Sequence, residues 1–186
     1  MTKTNEKKLV RQEIIKLKQS LSDEKAAYLS QKICCRLIQT EAFQKAECVA
    51  LYHSIKGEVQ TTPLIEEWYK KKKIVLPVVS GKELRFYPYT GKDNMSVGAF
   101  GIWEPLPSEA IVTEEIDLFV IPGIAFDYTC NRMGRGGGFY DRFLSTTKKP
   151  VIGLCFGFQL KEHIPVEEHD KKMTMVIAEA KIIYTL

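Results

Sequence analysis

Residues 116–156 read IDLFVIPGIAFDYTCNRMGRGGGFYDRFLSTTKKPVIGLCF, and the fold is decided within them. Ile116 to Pro122 is a nearly unbroken apolar run, the pattern of a central strand buried on both faces. After a loop from Gly123 to Gly136, Phe139 to Leu144 suits a helix and Val151 to Phe156 a second buried strand. Similar signals flank this unit. Cys48 to His53, Ile74 to Val79 and Met175 to Ala180 read as strands, and Leu84 to Tyr89 alternates like a half-exposed one. Thr62 and Pro63 offer an N-cap and a first helical residue, and Gly91 to Pro107 is a long loop punctuated by glycine and proline. Strands and helices alternate, so the expected architecture is α/β: a single-domain (1–186) layered α/β/α sandwich with a mostly parallel central sheet.

Two helices should open the fold. From Glu6 to Leu21, Leu9, Val10, Ile14, Leu17 and Leu21 follow helical spacing and predict an inward face. Ser22, Asp23 and Glu24 then supply cap and first-turn chemistry for a second helix, which turns Ala26, Leu29, Ile33 and Leu37 inward.

The chain of 186 residues is 45% hydrophobic and 27% charged, the balance of a soluble globular protein, and no apolar run approaches a membrane span. Its polar, lysine-rich start lacks the apolar core of a secretory signal, so a cytoplasmic location is expected. Five cysteines, an odd number without a CxxC pair, argue against a disulfide framework. Four read as core residues, and Cys130 falls in the glycine-rich segment. A net charge of +4 is too mild to imply nucleic acid, and the lysines at 70–73 read as a solvated helix ending. A small polyanion suits the balance equally well.

Between Pro122 and Arg142, five glycines, three arginines and two aspartates crowd into 21 residues behind a buried strand. Gly134, Gly136, Gly137 and Gly138 can turn several backbone N–H groups toward one anion. A helix starting just beyond them adds its own free N–H groups. Arg132 and Arg135 supply full charges, and Asp141 in the first helical turn suits magnesium, which takes carboxylate, phosphate and water oxygens. These parts describe a nucleotide site of a type other than the GxxxxGK[ST] loop. Tyr140 is open to two readings, a core aromatic or a hydroxyl that reaches a ligand.

Gly-Ile-Ala-Phe-Asp at 123–127 and Asn-Arg-Met-Gly-Arg-Gly-Gly-Gly-Phe-Tyr-Asp at 131–141 resemble the signature of 5-formyltetrahydrofolate cyclo-ligases, the methenyltetrahydrofolate synthetases. The resemblance runs along nearly the whole chain. It implies ATP- and Mg2+-dependent closure of 5-formyltetrahydrofolate to 5,10-methenyltetrahydrofolate, through phosphorylation of the formyl oxygen and attack by N10, with release of ADP and phosphate. It implies ATP contacts at Lys7 and Arg11, which match a KxxxR on helix one, and along Arg132, Met133, Gly134, Arg135, Gly136, Gly137, Gly138, Phe139 and Tyr140. Folate contacts are implied at His53, Glu58 and Phe100, the last in Phe-Gly-Ile-Trp-Glu-Pro at 100–105, and again along Arg135 to Phe139. Asp170, in a late His-Asp pair, is implied to share the metal with Asp141. Arg135, Arg132 and Tyr140 are the expected catalytic residues.

The chain departs from the family pattern at three places: Cys130 where glycine is usual, Gly137 where many members carry lysine, and Thr174 where an acid often follows the His-Asp pair. Local features leave several assignments open. Lys7 and Arg11 also fit a solvated face, Glu58 a turn, and Phe100 with Trp103 a small core beneath the loop. A binding protein without catalysis is the alternative function, and a basic RNA-binding domain a remote third. The expected partner is the small-molecule substrate, with no nucleic acid or membrane, acting on a monomer.

Overall fold

Apolar residues alternating in short runs pack both sides of one twisted sheet. The computed structural model describes residues 2–98, 101–106, 108–167 and 170–185. The chain begins with α1 (Lys3–Gln19), α2 (Asp23–Ile38), α3 (Glu41–Lys45), β1 (Cys48–Ala50), α4 (Thr62–Trp68), β2 (Lys73–Ser80), β3 (Glu83–Pro88), β4 (Met95–Val97) and β5 (Trp103–Pro105). It continues with β6 (Leu118–Pro122), β7 (Ala125–Asp127), β8 (Arg132–Met133), α5 (Phe139–Leu144), β9 (Val151–Leu154), β10 (Leu160–Lys161), β11 (Met175–Ile177) and β12 (Ile182–Tyr184).

The main sheet runs in the order β12-β11-β9-β6-β1-β2-β3. Neighbours from β11 to β2 are parallel, and the two edge strands are antiparallel. Val49, Leu118, Val120, Ile74 and Ile152 face a core shared with α2, α3 and α4. The residues between them, Cys48, Ala50, Phe119, Ile121 and Val75, face a second core with Phe143 and Leu144 of α5. Period-two alternation with both faces apolar is therefore what makes the sheet the middle layer of an α/β/α stack.

From β1 the chain crosses to β2 on one side, and later places β6 on the other. The strand order thus reverses between β1 and β6, where an open α/β sheet leaves a crevice at its carboxyl ends. Both strands are followed by loops that carry predicted site residues.

Several expectations change. The loop 91–107 contains the antiparallel pair β4–β5, and the loop 123–136 contains the antiparallel pair β7–β8, to which β10 adds. These strands have two or three residues, too few to show a period. Thr61, not Thr62, occupies the cap of α4, and its hydroxyl donates to the Tyr52 carbonyl instead of capping the helix. The face of α1 differs in part: Ile14 is buried and Val10 and Leu21 are partly so, as expected, but Leu9 and Leu17 are exposed and Lys7 is buried. Cys35 is exposed and is no core residue, while Cys130 is buried at φ +63°. That left-handed backbone explains why glycine suits position 130.

The β7–β8 hairpin hangs on Asp127, which is 1% exposed. Its carboxylate accepts from the N–H and hydroxyl of Thr129, from the N–H and side-chain amide of Asn131, and from the Ile164 N–H. Burial alone would raise its pKa, but these donors outweigh burial and hold it below the ordinary carboxylate value. Its stabilisation is therefore complete above the unfolded pKa of about 3.9 and is lost as the pH falls through the lower folded value. Asp127→Ala should cost about 3 kcal/mol in urea denaturation at pH 7. The difference from the native chain should shrink below about pH 4.

Candidate active site

A cleft of about 420 Å³ opens between the ends of β1 and β6. One wall is apolar and aromatic, with Pro77, Val79, Leu84, Ile102 and Trp103, and the opposite wall is the glycine loop from Gly134 to Asp141. Tyr52, His53 and Glu58, which follow β1, and Pro122 and Gly123, which end β6, line it as well. Half-exposed Trp103 is thus a wall of the cleft and not a buried core aromatic. Phe100, expected to contact folate, lies outside the described residues.

Arg132 organises the loop wall. It is 4% exposed, donates from Nη1 to the Pro122 carbonyl at 3.2 Å and from Nη2 to Asp141 Oδ1 at 2.8 Å, and lies over the Tyr140 ring. A Cβ at Gly134 would stand 3.0 Å from its Nη1, so the loop passes tightly over this side chain. Gly138, at φ +68°, turns the chain into α5 with a backbone that L side chains rarely adopt. Met133 differs from its neighbours: its side chain is buried with Ile14, Ile124 and Ile164, so only its backbone is left for a ligand.

Arg135 leaves the loop and crosses the cleft. Its Nη2 meets Glu58 Oε1 at 3.0 Å, with the arginine side chain 57% exposed and the glutamate side chain 9%. Glu58 Oε2 also accepts from the Ile55 N–H at 3.3 Å. Burial lowers the pKa of His53, on the same cleft, which keeps that imidazole neutral near pH 7.

Helix α1 closes the other side of the loop. Arg11 Nε donates to the Gly134 carbonyl at 3.0 Å, and Lys7 Nζ meets Asp170 at 2.7 Å and Glu167 at 2.6 Å. Burial alone would lower the Lys7 pKa, but its two carboxylate partners raise it further, so it stays charged. Lys7 and Arg11 therefore do not sit on a solvated face. Asp141 and Asp170 are held by different cations, Arg132 and Lys7, and among the described residues no cluster of three metal-binding side chains forms. Magnesium bound with phosphates needs only one or two carboxylates, so this donor set fits it. Thr174 accepts from the Val151 N–H and acts as a strand-end cap.

A profile of the 5-formyltetrahydrofolate cyclo-ligase family matches residues 3–179. The chain belongs to this family. Among family relatives, the 5-formyltetrahydrofolate cyclo-ligase of Haemophilus influenzae is 32% identical over 176 residues, covering 90% of this chain and 94% of its own. The mouse cyclo-ligase is 28% identical and covers 96% of both chains. The solved 5,10-methenyltetrahydrofolate synthetase of Aquifex aeolicus superposes with a TM-score of 0.88 at 36% identity, over 96% of this chain and 92% of that one. The Mycoplasma pneumoniae synthetase gives 0.75 at 26% identity, over 92% and 97%. The cyclo-ligase fold is thus the mostly parallel α/β sheet described above.

Sequence reasoning missed two contributors. Gln159 is 1% exposed, and its amide donates to the carbonyls of Gly123 and Ile124 while accepting from the Phe156 N–H, so it pins the end of β6. Glu104, also buried, lies on the cleft wall, and its carboxylate fills the place a Gly98 Cβ would take. The Phe-Gly-Ile-Trp-Glu-Pro segment was the available signal for Glu104, whereas an isolated glutamine offers none. Arg132→Met should remove the ion pair of Asp141 and cost about 3 kcal/mol, read from the shift in urea midpoint at unchanged m-value.

Proposed function

We propose that this chain converts 5-formyltetrahydrofolate and ATP to 5,10-methenyltetrahydrofolate, ADP and phosphate. The observation that carries the reading is one cleft whose glycine–arginine wall suits phosphates and whose opposite side holds the buried carboxylate Glu58, the two linked by Arg135 at 3.0 Å. Backbone N–H groups from Gly134 to Gly138, with Arg135, Lys7 and Arg11, bind the triphosphate, and Glu58 with His53 orients the pterin by accepting from its N–H donors. Trp103 and the aliphatic wall cover its flat face, and Phe100 belongs to the same proposal.

The chemistry follows from leaving groups. The formyl oxygen attacks the terminal phosphorus, forming an O–P bond as the bond to ADP breaks. The N10 lone pair then attacks the formyl carbon, N10 loses its proton, and the carbon–oxygen bond breaks with its electrons leaving on phosphate. Without the first step the leaving group would be hydroxide. The protein contributes position and charge: Arg135 faces the moving phosphoryl group, while Arg132 holds Asp141 and Tyr140 in place. Asp141 and Asp170 would hold magnesium, which supplies charge neutralisation at the phosphate oxygens when bound.

Cytosolic placement, a single domain and a monomeric state belong to the same proposal. The test is the ATP-dependent rise of the methenyl chromophore. Native protein should produce it with magnesium-ATP, and binding without an absorbance change would favour the non-catalytic alternative. Asp141→Ala should abolish turnover with the fold retained by circular dichroism, and normal activity would remove the metal assignment. Arg135→Ala should lower kcat/KM by about 100-fold, and an unchanged rate would remove Arg135 from the site.

A further inference from the structure

Helix α1 presents a cationic face to the interior. Lys7, Arg11, Ile14 and Lys18 fall at the spacing of one helical stripe, with Lys7 and Ile14 buried and Arg11 and Lys18 partly so. Cations turned inward need compensation. Lys7 has it from Asp170 and Glu167, and Arg11 from the Gly134 carbonyl. Lys18 does not: its ammonium has no hydrogen-bond acceptor or ion-pair partner among the described residues.

Its position is specific. The Lys18 stem lies over Gly57, so that a Cβ built there would stand 3.2 Å from Lys18 Cδ, and the next residue is Glu58. Burial pushes the Lys18 pKa down, Glu58 pulls it up and Arg135 pushes it down again, so the ammonium lies in the fields of both partners of the cross-cleft ion pair. It is absent from the walls of the cleft, which argues against direct ligand contact.

Arg135 cannot serve two anions fully. When its exposed guanidinium turns to phosphate, Glu58 remains buried and loses its ion pair, which leaves a buried charge uncompensated. A buried carboxylate without a counter-charge carries the full cost of its desolvation, which weighs against holding it in place as an acceptor for the pterin. We propose that Lys18 is a positioning residue for folate, the standing counter-charge that holds the Glu58 carboxylate in place once Arg135 engages the nucleotide. This assignment rests on the roles proposed above for Glu58 and Arg135.

Lys18→Met keeps a stem over Gly57 but removes the charge. It should raise the KM for 5-formyltetrahydrofolate about tenfold, leave the KM for ATP within about twofold, and be rescued by Lys18→Arg. In a Glu58→Gln background the same change should have no further effect, since a neutral amide needs no counter-charge. A native folate KM in Lys18→Met, or effects that simply add to those of Glu58→Gln, would overturn the assignment; additive effects with a lowered unfolding temperature would mark a purely structural side chain. If Glu58→Gln raises the folate KM and Lys18→Met does not, the Lys18 role alone falls. If Glu58→Gln leaves the folate KM unchanged, or native protein forms no methenyl product, the parent reading fails and Lys18 with it.

Discussion

The buried guanidinium of Arg132 ties together the three elements from which the glycine wall is built. It starts on β8, reaches the carbonyl that ends β6, and pairs with Asp141 in the first turn of α5. Because the guanidinium is planar and its donors diverge at fixed angles, these contacts set where α5 begins relative to the sheet. The loop between them passes close over the side chain, so that a Cβ at Gly134 would stand 3.0 Å from the guanidinium and press against it. Its Nε is buried without a partner among the described residues, a cost accepted within an otherwise well-bonded arrangement.

The charges assigned to ligands are paired with one another. Lys7 holds Asp170, Arg132 holds Asp141, and Arg135 holds Glu58. Folding has already met much of the desolvation cost of these groups, so the ligands proposed above would bind by exchanging ion partners more than by stripping water. Exchange is easiest at Arg135, the most exposed of the three cations, and hardest at Arg132. That contrast fits a division between a side chain that follows phosphate and one that holds the frame.

Much of the architecture was legible in the sequence because its signals are local. Phe139 to Leu144 was read as a helix with its observed bounds, and the cap at Ser22 accepts from the Lys25 N–H as expected. The main strands were found through apolar alternation, and the glycine–arginine loop does line a cleft. The β4–β5 and β7–β8 hairpins were missed because strands of two or three residues have no readable period. The face of α1 was legible only in part: Ile14 is buried as its spacing predicts, but Leu9 and Leu17 face solvent and Lys7 turns inward to carboxylates far along the chain.

By itself the sequence determined the α/β class, the position of the phosphate-type loop and, through its motifs, the family. These depend on residues a few positions apart, whose spacing fixes local backbone geometry and hydrogen bonding. Only the tertiary structure decided which charges meet: Arg135 with Glu58 across 77 residues, Arg11 with Gly134 across 123 and Lys7 with Asp170 across 163. Such pairs depend on how the sheet order and the docking of α1 bring distant segments together, and no local pattern encodes that. The loop's place in the chain was therefore readable in advance, whereas its partners across the cleft became visible only once the strand order reversed between β1 and β6.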